Sequence, residues 1–136
     1  MDKKVLVIED DPASVKLMQY ALTQHGYEVL IASNGLDGLR MARTEGPALV
    51  MLSVMLPGMN GFEVCHRLRT EGDGLPIVML SEKGREADSA TGFKLGANEY
   101  LIKPVSPSTV ISVVDSLMVL SPVKAKSARL EKYVGY

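Results

Sequence analysis

Five short apolar runs recur along the chain: Val5-Leu6-Val7-Ile8, Val29-Leu30-Ile31-Ala32, Leu49-Val50-Met51-Leu52, Ile77-Val78-Met79-Leu80 and Tyr100-Leu101-Ile102. Each is apolar on both faces and bounded by turn residues. That pattern predicts fully buried strands of a parallel sheet. The stretches between them carry apolar residues three and four apart. Residues 12–25 place Val15, Met18, Ala21 and Leu22 on one helical face, with Pro12 at the start and Gly26 as the stop. Residues 36–43 carry Leu36, Leu39 and Ala42, and residues 62–69 carry Phe62, Cys65 and Leu68. Residues 87–95 form a weaker helix with Ala90, Phe93 and Lys94 on a mixed face. Residues 107–120 carry Val110, Val113, Val114 and Leu117 behind a Ser106 N-cap. Five β-α units in alternation predict an α/β domain with helices on both faces of the sheet and right-handed crossovers.

In such folds ligands gather beyond the carboxyl ends of the strands. There the first strand runs into Glu9-Asp10-Asp11, the third into Ser53, the fourth into Ser81 and the fifth into Lys103-Pro104. Adjacent carboxylates repel unless a cation joins them, and hard oxygen donors at one point suit Mg²⁺. A lysine opposite can neutralise a phosphoryl group, and the Ser81 hydroxyl can hydrogen-bond one. Singly, each piece has a plainer reading. Asp11 before Pro12 suits helix entry, Lys-Pro suits a turn, and a serine at a strand end suits a cap. Together, at strand ends of one sheet, they predict a site for phosphoryl chemistry.

Composition narrows the partners. The chain has 136 residues, 46% hydrophobic and 23% charged, with a net charge of −1, consistent with one ordinary globular domain. That charge offers no basic field for nucleic acid, so direct DNA binding by this domain is not expected. The basic cluster Lys124, Lys126, Arg129 and Lys132 reads as part of a solvated tail. One cysteine, Cys65, forms no internal disulfide, and no apolar run approaches the ~20 residues of a membrane helix. The opening Met1-Asp2-Lys3-Lys4 leads into a strand rather than a secretory signal, and a cytoplasmic location is expected. A domain over residues 1–121 and a linker or tail over 122–136 are expected, because periodicity fades after Ser121-Pro122.

Four segments in register resemble the receiver domains of two-component response regulators. They are Val7-Ile8-Glu9-Asp10-Asp11-Pro12, Leu56-Pro57-Gly58-Met59-Asn60-Gly61, Val78-Met79-Leu80-Ser81, and Gly96 through Pro104. The resemblance spans residues 3 to about 120. It implies a flavodoxin-like (βα)5 three-layer sandwich with strand order 2-1-3-4-5. It also implies that Glu9, Asp10 and the Met55 carbonyl bind Mg²⁺. Ser81 and Tyr100 would be the switch pair, and Lys103 would contact phosphate. A cis peptide before Pro104 is a further family habit. The implied partners are a histidine kinase or phosphotransfer protein, and a downstream protein or second copy on the face formed by residues 87–95, 100–103 and 107–120.

The chain departs from the family where the phospho-accepting aspartate should stand: it has Ser53 between Leu52 and Val54. A serine hydroxyl is a poor nucleophile without a base, and His25 and His66 fall in helical segments rather than at the site. Ser53 also brings no carboxylate, so Mg²⁺ binding should be weakened or lost. Glu82, after Ser81, adds charge where the family often has a small residue, and is expected to face solvent. The first expectation is a receiver acting by protein contact, not normally phosphorylated and not an enzyme. A Mg²⁺-dependent phosphatase-type enzyme lacks its nucleophile. A serine hydrolase lacks the Gly-x-Ser-x-Gly elbow in Met51-Leu52-Ser53-Val54-Met55. A flavin or nucleotide binder lacks a Gly-rich loop after the first strand. A phosphate-independent receiver in another pathway is the remaining alternative.

Overall fold

In a computed structural model, described for residues 3–72, 74–82 and 87–119, the chain alternates strand and helix throughout. The elements are β1 Lys4–Ile8, α1 Pro12–Gln24, β2 Glu28–Ala32, α2 Gly35–Thr44, β3 Leu49–Ser53, α3 Gly61–Thr70, β4 Ile77–Ser81, α4 Ala87–Lys94, β5 Glu99–Ile102 and α5 Pro107–Met118. All neighbouring strands pair in parallel, in the order β2-β1-β3-β4-β5. This is the expected α/β flavodoxin-like architecture.

Successive strand residues point to opposite faces, so each central strand feeds two cores. Leu6, Ile8, Val50, Leu52, Ile77 and Met79 pack with Leu39, Val64 and Leu68 from α2 and α3. Val5, Val7, Leu49, Met51, Val78 and Leu80 pack with Met18, Leu22, Val110 and Val114 from α1 and α5. Each such side chain stabilises the fold by about 1.5–3 kcal/mol on burial.

Two expectations need correction here. β1, β3 and β4 are buried as predicted, but β2 and β5 lie at the sheet edges and are only partly covered. Leu36, predicted for the core, is exposed. It sits in the first turn of α2, and Gly35, Gly38 and Leu39 are the buried residues of that helix. Val15, Phe62 and Val113 are half-buried, Phe93 is exposed, and Val64 and Ile111 take core positions that the spacing did not single out. Residue 120 and the predicted tail with its basic cluster lie outside the described residues.

Helix starts follow local chemistry. Asp11, Asn34, Asn60 and Ser106 each cap a helix by accepting a backbone N–H three residues on. Gly26, at φ +83°, ends the turn after α1, a conformation that suits glycine.

Candidate functional site

The acidic triplet does not act as one cluster. Glu9 follows β1, where its N–H donates to the Ala32 carbonyl at 2.9 Å. Its side chain is fully buried. Oε2 accepts the backbone N–H groups of Asp10 and Asp11 at 3.0 and 3.1 Å. Asp11 turns instead to α1, where its carboxylate accepts from Ser14 N at 3.1 Å and Ser14 Oγ at 2.8 Å. Those bonds, the hydroxyl first, hold the Asp11 carboxyl below the usual aspartate range. Asp10 remains exposed.

Ser53 closes β3 and is 1% exposed. Its hydroxyl donates to the Met55 carbonyl at 3.4 Å. Lys103 follows β5, anchored by its N–H to the Ser81 carbonyl at 2.7 Å. Its ammonium reaches back over the rim, donating to Ser53 Oγ at 3.3 Å and lying 2.5 Å from Glu9 Oε1. Glu9 Oε1 has no hydrogen-bond partner, so that contact is an ion pair rather than an aligned hydrogen bond. Glu82 stands 3.8 Å from the same ammonium with its side chain 60% exposed. It faces solvent, as expected, but also contributes to the field at Lys103. A cleft of about 400 Å³ opens beside these residues, walled by Leu17, Met18, Leu80 and Val105.

The fold therefore brings Lys103 into direct contact with both Glu9 and Ser53. Ser81 is buried on β4, opposite Ile102 in the strand register, and Tyr100 lies opposite Met79. The half-buried Tyr100 ring packs against Phe93 with ring centres 6.1 Å apart. Gly92 makes room for that ring, since a Cβ there would come within 2.7 Å of it. The Lys103-Pro104 peptide is cis, as the resemblance implied.

Sequence reasoning missed the partner of Lys103 and one steric requirement. Gly61 opens α3 directly over Ser53: a Cβ at this position would overlap the Ser53 carbonyl oxygen and lie 2.9 Å from its carbon. The Asn60-Gly61 pair was the available signal, an N-cap followed by a residue with no side chain.

The arrangement suits charge neutralisation better than nucleophilic attack. Ser53 Oγ faces a cationic donor rather than a base. His25 caps the end of α1, and His66 is exposed on α3. The donor set also fails to fit a resident dication. Mg²⁺ demands several oxygen ligands in near-octahedral array. Here one Glu9 oxygen takes two N–H groups, the other faces an ammonium, and the Met55 carbonyl accepts Ser53. Among the described residues no group of three or more His, Cys, Asp or Glu is placed to hold a metal ion. No described helix is long and apolar enough to cross a membrane.

Known proteins carry the same architecture. The family model for the response regulator receiver domain matches residues 5–115. The alkaline phosphatase synthesis transcriptional regulatory protein PhoP of Bacillus subtilis is 42% identical over 131 residues, covering 96% of this chain and 55% of that protein. Protein PilH of Pseudomonas aeruginosa is 32% identical over 117 residues, covering 85% of this chain and 97% of that one. The solved receiver domain of the Francisella response regulator 1452 superposes with a TM-score of 0.80 at 26% identity, covering 85% of this chain and 96% of that one. Apart from PilH, the chain spans about half the length of the first curated relatives it matches. With the strand order, the strand-end chemistry and these matches in agreement, the chain belongs to the response regulator receiver domain family.

Proposed function

We propose that the chain is a two-component receiver module in which Ser53 occupies the phosphoacceptor position, so that it signals through protein contact and is not normally phosphorylated. The observation that carries this reading is the environment of Ser53. A neutral hydroxyl stands at the end of the central strand, buried, with the Lys103 ammonium donating to it. Phosphoryl transfer needs an activated nucleophile as well as charge neutralisation, and only the second is at hand. Glu9, Asp10 and the Met55 carbonyl hold the family's metal-binding positions, Ser81 and Tyr100 its switch positions, and Lys103 its phosphate contact. Mg²⁺ binding is weakened or absent because Ser53 adds no carboxylate.

A histidine kinase or phosphotransfer protein is the upstream partner of the parent family. The downstream partner, or a second copy, meets the face built from α4, β5 and α5. Exposed Phe93 and Ile102 give that face its apolar character. The domain itself turns over no substrate. The receiver domain spans residues 1–121, and residues 122–136 are its linker or tail.

The test is intact mass after incubation with a small phosphodonor and Mg²⁺, with Ser53→Asp alongside. Gain of one phosphoryl group by the aspartate variant alone is the expected result. Labelling of Ser53 itself overturns the reading. Labelling of neither protein favours a receiver whose site works without phosphate altogether.

A further inference from the structure

We propose that the Lys103 ammonium is the resident cation of this site, taking the place that a metal ion would hold and making the acidic rim insensitive to Mg²⁺. The inference rests on the reading of Ser53 as the acceptor position and deepens it.

A buried carboxylate must be compensated, because an ionised group taken from water without a partner is strongly unfavourable. Glu9 is fully buried and meets that requirement internally. Two backbone N–H groups serve Oε2, and the ammonium stands 2.5 Å from Oε1. With a neutral hydroxyl at position 53, the ammonium has no carboxylate there and pairs with Glu9 while donating to Ser53 Oγ at 3.3 Å. A dication reaching Glu9 Oε1 would stand beside that ammonium, and like charges so close repel strongly. The Met55 carbonyl, a candidate third donor, already accepts the Ser53 hydroxyl at 3.4 Å. Glu82, 3.8 Å from the ammonium and largely exposed, adds a second anion to its surroundings.

This has a counter-intuitive consequence. Removing the lysine frees Glu9 Oε1 beside the already exposed Asp10, so deletion of a side chain should create metal binding. A reading in which Lys103 is only a structural strut predicts no such gain.

Isothermal titration of the full chain with MgCl₂ tests the proposal. Wild type should give no saturable binding up to ~10 mM, and Lys103→Met should bind at least tenfold more tightly. Lys103→Arg keeps the charge, is the variant expected to fold most like wild type, and should stay insensitive. Sub-millimolar binding by wild type overturns the proposal. So does a Lys103→Met protein that binds no better than wild type, or a Lys103→Arg protein that binds as well as Lys103→Met. A Ser53→Asp arm separates the two readings. If it is not phosphorylated, the site works without phosphate and the acceptor reading gives way, while the comparison of the Lys103 variants still decides the role of the lysine.

Discussion

The pair Glu9–Lys103 sets a stability experiment whose size follows from burial. Lys103→Met leaves the Glu9 carboxylate, with a side chain 0% exposed, without its counter-charge. Breaking a buried pair from one side costs about 3–5 kcal/mol. Two features reduce that figure here. Both backbone N–H bonds to Oε2 remain, and the Lys103 side chain is 12% exposed, so water can reach the vacated side. About 2–3 kcal/mol is therefore expected. Glu9→Gln should cost less, about 1 kcal/mol, because the amide oxygen still accepts an N–H and the ammonium retains Glu82 and partial hydration. The double variant should lose about 1–2 kcal/mol, less than the sum of the single losses, giving a coupling of about 2 kcal/mol. Urea unfolding at pH 7 without divalent cations measures all four corners, and unchanged m-values show that the shifts reflect stability rather than denatured-state compactness. Additivity within about 0.5 kcal/mol would refute the claim that these two groups compensate each other.

Three further outcomes follow from other contacts. Gly61→Ala should destabilise by about 2–4 kcal/mol and displace the segment after β3, since its Cβ overlaps the Ser53 carbonyl; urea midpoints and amide shifts of residues 53–55 check this. Tyr27, hydrogen-bonded to Asp115, has its phenol pushed well above the ordinary value of 10.0 by burial first and that bond second. The folded state therefore holds the proton more tightly, and its contribution is present below pH 10 and lost as the pH rises through the folded value. Tyr27→Phe should cost about 1 kcal/mol at neutral pH and flatten the alkaline decline in the urea midpoint. Glu71 pairs with Arg43 across α2 and α3, and the hydrogen bond, then the charge, holds its carboxyl below the ordinary 4.5. Its contribution is present above that value and lost as the pH falls through the depressed one, so Glu71→Gln should flatten part of the acid limb of the same profile.

How much was legible in the chain depends on whether the deciding physics was local. Caps were: Asp11 and Ser106 sit before helical prolines, and their oxygens accept the N–H three residues on. Strand identity was legible too, because an apolar run between turn residues has few other uses. The partial exposure of the edge strands was not. Val29-Leu30-Ile31-Ala32 looks as apolar as Leu49-Val50-Met51-Leu52, yet β2 is an edge and β3 the centre, a distinction made by strand order alone. Leu36 fails for a related reason: the buried face of α2 runs through Gly35, Gly38 and Leu39, and apolar spacing does not count glycines as inward-facing. The site shows the same division. The strand-end rule places Glu9, Ser53, Ser81 and Lys103 on one rim, but three consecutive acids read as equivalent until the backbone separates them. Glu9 turns inward onto two N–H groups, Asp10 faces water, and Asp11 caps a helix. Once that division is known, the partner of Lys103 follows. Position 53 carries no charge and the Asp11 carboxylate is committed to Ser14, so the buried Glu9 oxygen facing away from its own backbone bonds takes the ammonium. With a neutral residue at the end of β3, Glu9 is the buried carboxylate that Lys103 pairs with.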